Sequence, residues 1–569
     1  MSALPKKKKK KEGQTPSYNV HHPTHKHFLS KHRATENKNK MLDLQQMLVA
    51  RSSSLLQHFC MQLILLAIFF VLLYKWYSSK SSSVPPSPQK LPVMGNLHQL
   101  GLHPHRSLQA LAQIHGPLML LHFGSMPVLI VSSAEAACEI MKTHDLSFSD
   151  RPKMAFFKKL LYNCKDVATA PYGEYWRRLK SICVLNLLSN SRVRSFRYVR
   201  EEETESMINS IKQSCTPSSS SSASLSSVLN LSEMFLRLTN DVICRVALGR
   251  KYSDRGEGRG RMFMGLSVEF TELMGRVNIG DYIPWLAWVS RVNGLDAKLD
   301  SLAKRFDEFL DMVVQEHMDS SKGSEGDEDD GHKDLVDVLL SVQKENTVGL
   351  PIDRVSIKAI ILDIFVAGTD TTFGTLEWTM SELFKHPSVM KKLQSEVRRI
   401  VGNKKDIITE DNLVEIPYLK AVIKESLRLH PPVPLLLPRI ATQDAKINGY
   451  NILSGTQVLV NAWQIGRDPK SYKEPEEFKP ERFMNNAIDY KGNDGFQFIP
   501  FGAGRRGCPG IQFAMAVQEI ALANLIHKFD WVLPDGARGE DLDMTEETGQ
   551  TVHRKYPLKA VAIPYPCQG

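Results

Sequence analysis

Residues 498–529 read FIPFGAGRRGCPGIQFAMAVQEIALANLIHKF, a glycine-rich turn that leads through Cys508 into a long apolar segment. The apolar residues after Gly510 recur at helical spacing, which predicts a helix. Gly502, Gly504 and Gly507 open backbone angles closed to other residues, and Pro509 suits a first helical turn. A thiolate there gains hydrogen bonds from free backbone N–H groups and the helix dipole, so it can stay ionised and ligate a metal. A plain buried cysteine at a tight turn would account for Cys508 but not for its company.

That company is Phe501, Gly504, Arg506, Cys508 and Gly510, spaced F-x-x-G-x-R-x-C-x-G. The pattern resembles the haem-ligand loop of the cytochrome P450 family, and five fixed positions make it a specific signal. The resemblance implies that Cys508 is the axial ligand of the iron of haem b, that Phe501 covers its sulfur and that Arg506 pairs with a haem propionate. A thiolate ligand of this kind favours O–O cleavage.

Upstream motifs follow in the family's order. Glu425 and Arg428, in KESLRLHPP, stand three apart on one face of a helix that ends before Pro431. A pair lying among Val422, Leu427 and Leu429 needs further partners if buried. The PERF stretch, Pro480 to Phe483, resembles the family element whose arginine, here Arg482, completes a structural triad with them. Residues 353–386 read as one long helix interrupted at Ala367 to Thr372, where Gly368 permits close approach and Asp370, Thr371 and Thr372 cluster polar groups in an apolar run. Hydroxyls bonded back to the preceding turn would explain the cluster structurally. The resemblance implies an oxygen-binding groove in which Thr371 orients water and dioxygen and Asp370 relays protons. Residues 171–189 begin a helix with Trp176 and Lys180 one turn apart. The resemblance makes both propionate contacts, with Lys180 a point charge where many relatives have arginine. Arg439, in PLLLPRIA, matches another propionate-contacting position.

The resemblance runs from about residue 84 to the end. Residues 160–189, 461–472 and 540–555 are similar to the plant microsomal family-seventy-one enzymes, especially the A subfamily. One departure is KGNDGFQFIPFG, residues 491–502, which carries an extra residue around Gly495 that glycine can absorb as a bulge. The implied fold is mostly α with a smaller β region, one domain over residues 97–569, with the haem between the helix near Thr371 and the helix after Cys508.

The rest of the chain fits one large catalytic unit, for no internal repeat breaks its 569 residues. The net charge of +10 is concentrated in residues 1–40, with eleven Lys and Arg against Glu12 and Glu36. The body is therefore nearly neutral, which argues against nucleic acid as a partner. The polylysine run and His21, His22, His25 and His27 read as a solvated disordered extension, with a localisation signal or metal binding as other readings. Eight scattered cysteines point to free thiols in a reducing compartment. The serine run 218–222 and the acidic stretch 320–330 read as surface loops.

Residues 59–74, FCMQLILLAIFFVLLY, predict a membrane anchor over about residues 56–77 within a 41–80 anchor region, in contact with the lipid bilayer. A start at Met41 would leave the positive charges downstream of the anchor and turn the catalytic domain to the cytosol, single-pass in the endoplasmic reticulum membrane. Pro85, Pro86 and Pro88 make residues 81–96 a stiff hinge.

The implied activity is insertion of one oxygen atom from dioxygen into a small lipophilic substrate, a terpenoid-like or aromatic plant metabolite. No dinucleotide or flavin motif appears, so NADPH would act through a separate NADPH-cytochrome P450 reductase, which Arg505, Arg177 and Arg178 could attract. Candidate wall residues are Phe156, Phe157, Phe365, Ala367, Val433, Leu435 and Gly549, Gln550, Thr551 and Val552. A haem-thiolate dehydratase or isomerase, such as an aldoxime dehydratase, is the alternative enzyme, and a non-catalytic haem sensor a third reading.

Overall fold

The computed structural model describes Met41, Leu44, Met47, Arg51, residues 57–71 and most of residues 83–566. Within the latter span, residues 216–226, 253–257, 324–332, 346–351, 403–406, 485–487, 491 and 494 are excepted. The basic extension, the serine run, most of the acidic stretch and the ends of the expected anchor lie outside the described residues. The chain divides into two units, Met1–Ser82 and Ser83–Gly569. In the first, Gln57–Val71 is an apolar helix.

The second unit is mostly helical. The helices that position the site are α1 (Glu174–Ile182), α2 (Leu231–Leu248), α3 (Gly258–Met274), α4 (Leu295–Gly323), α5 (Leu335–Glu345), α6 (Arg354–Lys385), α7 (Pro417–Leu429) and α8 (Ile511–Lys528). Their ends follow from local chemistry. The Asn230 side chain accepts from Glu233 N–H to start α2, and Gly249, at φ +72°, ends it in the left-handed region. Asp353 caps α6 through the Ser356 N–H at 2.7 Å, and Pro417 opens α7. Helix α6 is apolar on nearly every face because it is enclosed, lying chiefly against α2 and also against α4, α5, α7 and α8.

Among the described residues the β region holds three small sheets. Strands β1 (Leu118–Phe123) and β2 (Met126–Val131) form a hairpin, β3 is Leu229–Asn230, and β4 is Arg439–Ile440. Strands β5 (Ala445–Ile447) and β6 (Tyr450–Ile452) pair alone, while β7 is Gln457–Val460, β8 Phe529–Val532 and β9 Lys559–Pro564. The main sheet runs β1-β2-β7-β4, with β7 parallel to β2 and antiparallel to β4; the second runs β3-β9-β8. The proline stretch belongs to this body, since Pro85 and Pro88 are buried and Pro86 C=O accepts from Leu120 N–H at 2.9 Å. It is tied to β1 at this point.

Between α4 and α5 sits a charged clasp. His317 Nδ1–H donates to Val313 C=O at 2.8 Å, so Nε2, 2.8 Å from the Asp334 carboxylate, must carry the second proton. Burial opposes that charge, but Asp334 and the Val313 carbonyl prevail and push the imidazole up to about 9. Because the folded value is raised, the clasp stabilises fully below the ordinary histidine range and is lost as pH rises through about 9. We expect melting curves of the wild type to shift down between pH 7 and 10, in the window set by that value, and those of His317→Gln to lack this step. Parallel curves would remove the clasp from the stability account.

Candidate active site

Residues 498–510 turn back on themselves before α8. Gly502 and Gly504 stand at φ +66° and +69°, and a Cβ on Gly504 would collide with the Met141 carbonyl, so glycine is required there twice over. Cys508 N–H donates to Phe501 C=O at 3.0 Å, and Gly510 N–H points at Cys508 Sγ at 3.3 Å. Helix α8 starts at Ile511, so Pro509 and Gly510 form the turn into it, whereas the sequence places Pro509 in its first turn. Gly495 stands at φ +127°, a backbone conformation that favours glycine.

Cys508 lines a cavity of about 300 Å³ and is exposed to that cavity. Burial pushes its thiol up, while the Gly510 N–H and the Lys180 ammonium draw it down. Phe501 and Gly510 also line the cavity; Gly504 does not.

Across from the cysteine loop, α6 contributes Ala367, Gly368, Thr371 and Thr372. The helix is continuous here, contrary to the expected interruption. Thr371 Oγ1 donates to Ala367 C=O at 2.7 Å, and Thr375 repeats the pattern on Thr371 C=O at 2.9 Å. Such back-bonding satisfies the hydroxyls without breaking the helical ladder. Gly368 is small because α2 is close: a Cβ would lie 2.6 Å from Ile243 Cδ1.

One edge of the cavity gathers four cations, Arg151, Lys180, Arg439 and Arg506, around Trp176. Arg506 donates to Ser149 C=O and Ala170 C=O, both at 2.6 Å, and lies 4.2 Å over the Trp176 ring. Lys180 Nζ reaches the carbonyls of Arg505 (2.5 Å) and Gly507 (3.0 Å), which ties α1 to the cysteine loop. Arg439 pairs with Asp145 at 3.2 Å. Arg151, which sequence reasoning missed, donates to Ala168, Leu437 and Pro438 carbonyls. Burial lowers all four; Arg151 is depressed further by Arg439 and Arg506, Lys180 falls to about 8 and Arg506 to about 10. An edge so rich in strained positive charge suits an anionic ligand. An apolar cavity with a thiol on one wall and this cluster at its edge fits haem, whose flat ring is apolar and whose propionates are acidic.

Asp363, also missed, lines the cavity from α6 and accepts the N–H groups of Val167 (2.7 Å) and Ala168 (3.2 Å). Burial first, and then the neighbouring Asp166, push its carboxyl well up. It therefore fixes the loop before α1 at little cost in buried charge.

Asp370 does not line the cavity. Its carboxylate lies 3.0 Å from His553 Nε2, on the turn before β9. Glu425 and Arg428 form a bidentate pair at 2.7 and 2.8 Å, both fully buried. Arg482 Nε joins Glu425 at 3.2 Å, and Lys479 N–H adds a bond of 2.7 Å. Among the proposed wall residues, Ala367 and Val433 line the cavity. Phe365 and Phe157 are buried in the core, and Phe156 meets Phe157 and Phe270 edge to face. Leu435 packs beside the β1–β2 hairpin, Gly549 lies against Gly275, and Thr551 and Val552 are buried, with Val552 C=O accepting from Trp378 Nε1. None of these, nor Gln550, lines the cavity.

The model of the cytochrome P450 family matches residues 85–560. Cytochrome P450 736A117 of Prunus mume is 68% identical over 521 residues, covering 90% of this chain and 97% of that protein. Cytochrome P450 71A6 of Nepeta racemosa is 52% identical, covering 88% and 98%. A zebrafish cytochrome P450 solved with abiraterone superposes with a TM-score of 0.68 at 26% identity, over 82% of this chain and all of that one. With the cysteine loop, the cation edge and the whole helical body in agreement, the chain belongs to the cytochrome P450 family, among the plant monooxygenases of the family-71 clan.

Proposed function

We propose that this enzyme inserts one oxygen atom of dioxygen into a lipophilic plant secondary metabolite, at the endoplasmic reticulum membrane, with electrons from NADPH delivered by a separate reductase. The observation that carries the reading is the facing of Cys508 and the Gly368–Thr371 stretch of α6 across one cavity edged by four cations. Cys508 would ligate the haem iron, and Arg151, Lys180, Arg439 and Arg506 would hold its propionates. Bound there, haem supplies dioxygen activation, favoured by thiolate donation.

The remaining steps fall to side chains of the cavity. The Thr371 hydroxyl donates to Ala367 C=O at 2.7 Å; on rotating away from it, the hydroxyl can donate to water in the groove and take up a proton that Asp370, one residue back on α6, relays from solvent. Ile243, Ile364, Val433 and Leu437 give the substrate side an apolar lining suited to a lipophilic molecule. On the reductase side Arg177 and Arg505 are exposed, although Arg505 also pairs with Asp145 at 3.1 Å.

Asp370 lies off the cavity, which keeps a haem-thiolate dehydratase of the aldoxime type as the second reading. Microsomes given NADPH, labelled dioxygen and a panel of plant terpenoids and aromatics decide between them. One labelled atom per product is expected; unlabelled product would transfer the assignment to the dehydratase. In the same assay Thr371→Ala should keep its haem while product per NADPH falls about tenfold, less than the roughly 10²–10⁴-fold usual for lost acid–base help because water in the groove can still carry protons. Unchanged coupling would take Thr371 out of the proton path.

A further inference from the structure

We propose that His553 is the positioning residue for Asp370, holding its carboxylate in place as the anion on the proton-delivery side of α6. The inference rests on Asp370 serving the monooxygenase reading above. Its ground is a seat built for the imidazole. Gly374, one turn beyond Asp370, leaves the room: a Cβ there would lie 2.7 Å from His553 Nδ1. Phe373 stacks on the ring at 5.0 Å and 25°. The turn itself is pinned, because Val552 C=O accepts from Trp378 Nε1 at 3.0 Å and Arg554 Nη1 donates to Ser381 Oγ at 2.9 Å. The ring therefore reaches Asp370 from a fixed place, at 3.0 Å.

The charges around the pair agree. Facing it are Glu377 from α6, Thr271 from α3, and Thr551 and Arg554 from the turn. Burial raises the Asp370 carboxyl, but His553 and the threonine hydroxyls prevail and hold it below the usual range. Burial lowers His553, but Asp370 and Glu377 prevail and raise it. The pair is thus whole from the acid side, above the lowered Asp370 value, up to the raised His553 value, and it dissolves as pH climbs through the latter.

The test uses the full-length haem protein with reductase, NADPH and dioxygen as the only probes. Two quantities are read: the pH profile of NADPH oxidation and the thermal midpoint across the same pH range. Asp370→Asn and His553→Ala should each slow NADPH oxidation about fivefold, below the roughly 10²–10⁴-fold typical of a direct general acid, as fits groups that act through Thr371. His553→Gln, which keeps a donor, should restore most of the rate but lose the alkaline fall. Gly374→Ala should mimic His553→Ala by displacing the ring. In melting, the double variant His553→Ala/Asp370→Asn should lose no more than the larger single loss. A His553→Ala enzyme with wild-type rate and profile, or additive melting losses, would overturn the proposal while leaving the monooxygenase intact. A wild-type enzyme that fails to oxidise NADPH under dioxygen would overturn that reading, and this one with it.

Discussion

Cys508→Ser should take up haem weakly and show neither turnover nor the long-wavelength Soret band that the carbon monoxide adduct owes to sulfur ligation. A serine hydroxyl does not ionise in this setting. Even the thiol is held up by burial, with the Gly510 N–H at 3.3 Å and Lys180 only partly offsetting it. A thiolate at this position would owe its existence to the metal, since a coordinating thiol gives up its proton outright. Difference spectra of the reduced, carbon monoxide-treated protein check this, and a surviving long-wavelength band would remove Cys508 from the iron.

Arg428→Ala should cost about 3–5 kcal/mol of stability, the range for removing one partner of a buried ion pair. The loss is of that order because the guanidinium does more than pair with Glu425. It also donates to Gly466 C=O (2.7 Å), Pro475 C=O (2.6 Å) and Glu477 C=O (3.0 Å). Those bonds clamp the segment between β7 and the PERF turn onto α7. Without them Glu425 keeps, among the described residues, Arg482 and the Lys479 N–H inside a fully buried site. Arg428→Lys should recover little, because one ammonium cannot replace a five-donor fork. Urea unfolding of the haem protein measures the difference; a change under about 1 kcal/mol would mean that the cluster is structurally idle, given the usual cost of a buried orphan charge.

These two sites were legible because their chemistry is local in sequence. Phe501 to Gly510 spans a single turn, and Glu425 and Arg428 share one helical face, so spacing alone carries the geometry. Arg482 needed the family resemblance, since nothing in its own neighbourhood points toward Glu425. His553 lay hidden for the same reason, 183 residues after Asp370. Arg151 and Asp363 look like ordinary polar residues until the fold brings them to the cavity. The expected wall residues divide for a different reason. Phe365 and Ala367 are both apolar positions on α6, and one faces the core while the other faces the cavity. Hydrophobicity records that a residue is inside, not what it is beside. The helix interruption was likewise misread, because hydroxyls that bond within their own helix look in sequence like a break.

Helix α6 is, among the described residues, the one helix long and apolar enough to cross a bilayer, although 56% of its most apolar window is buried in the folded body. A nascent chain emerging beside a membrane exposes that segment before α2, α7 and α8 can enclose it. Asp363 and Asp370 then stand near its middle without their later surroundings, and each opposes insertion by about 2.5–3.5 kcal/mol. Asp363, which lines the cavity, and Asp370, which lies beside it, would thereby weigh against this core helix entering a bilayer.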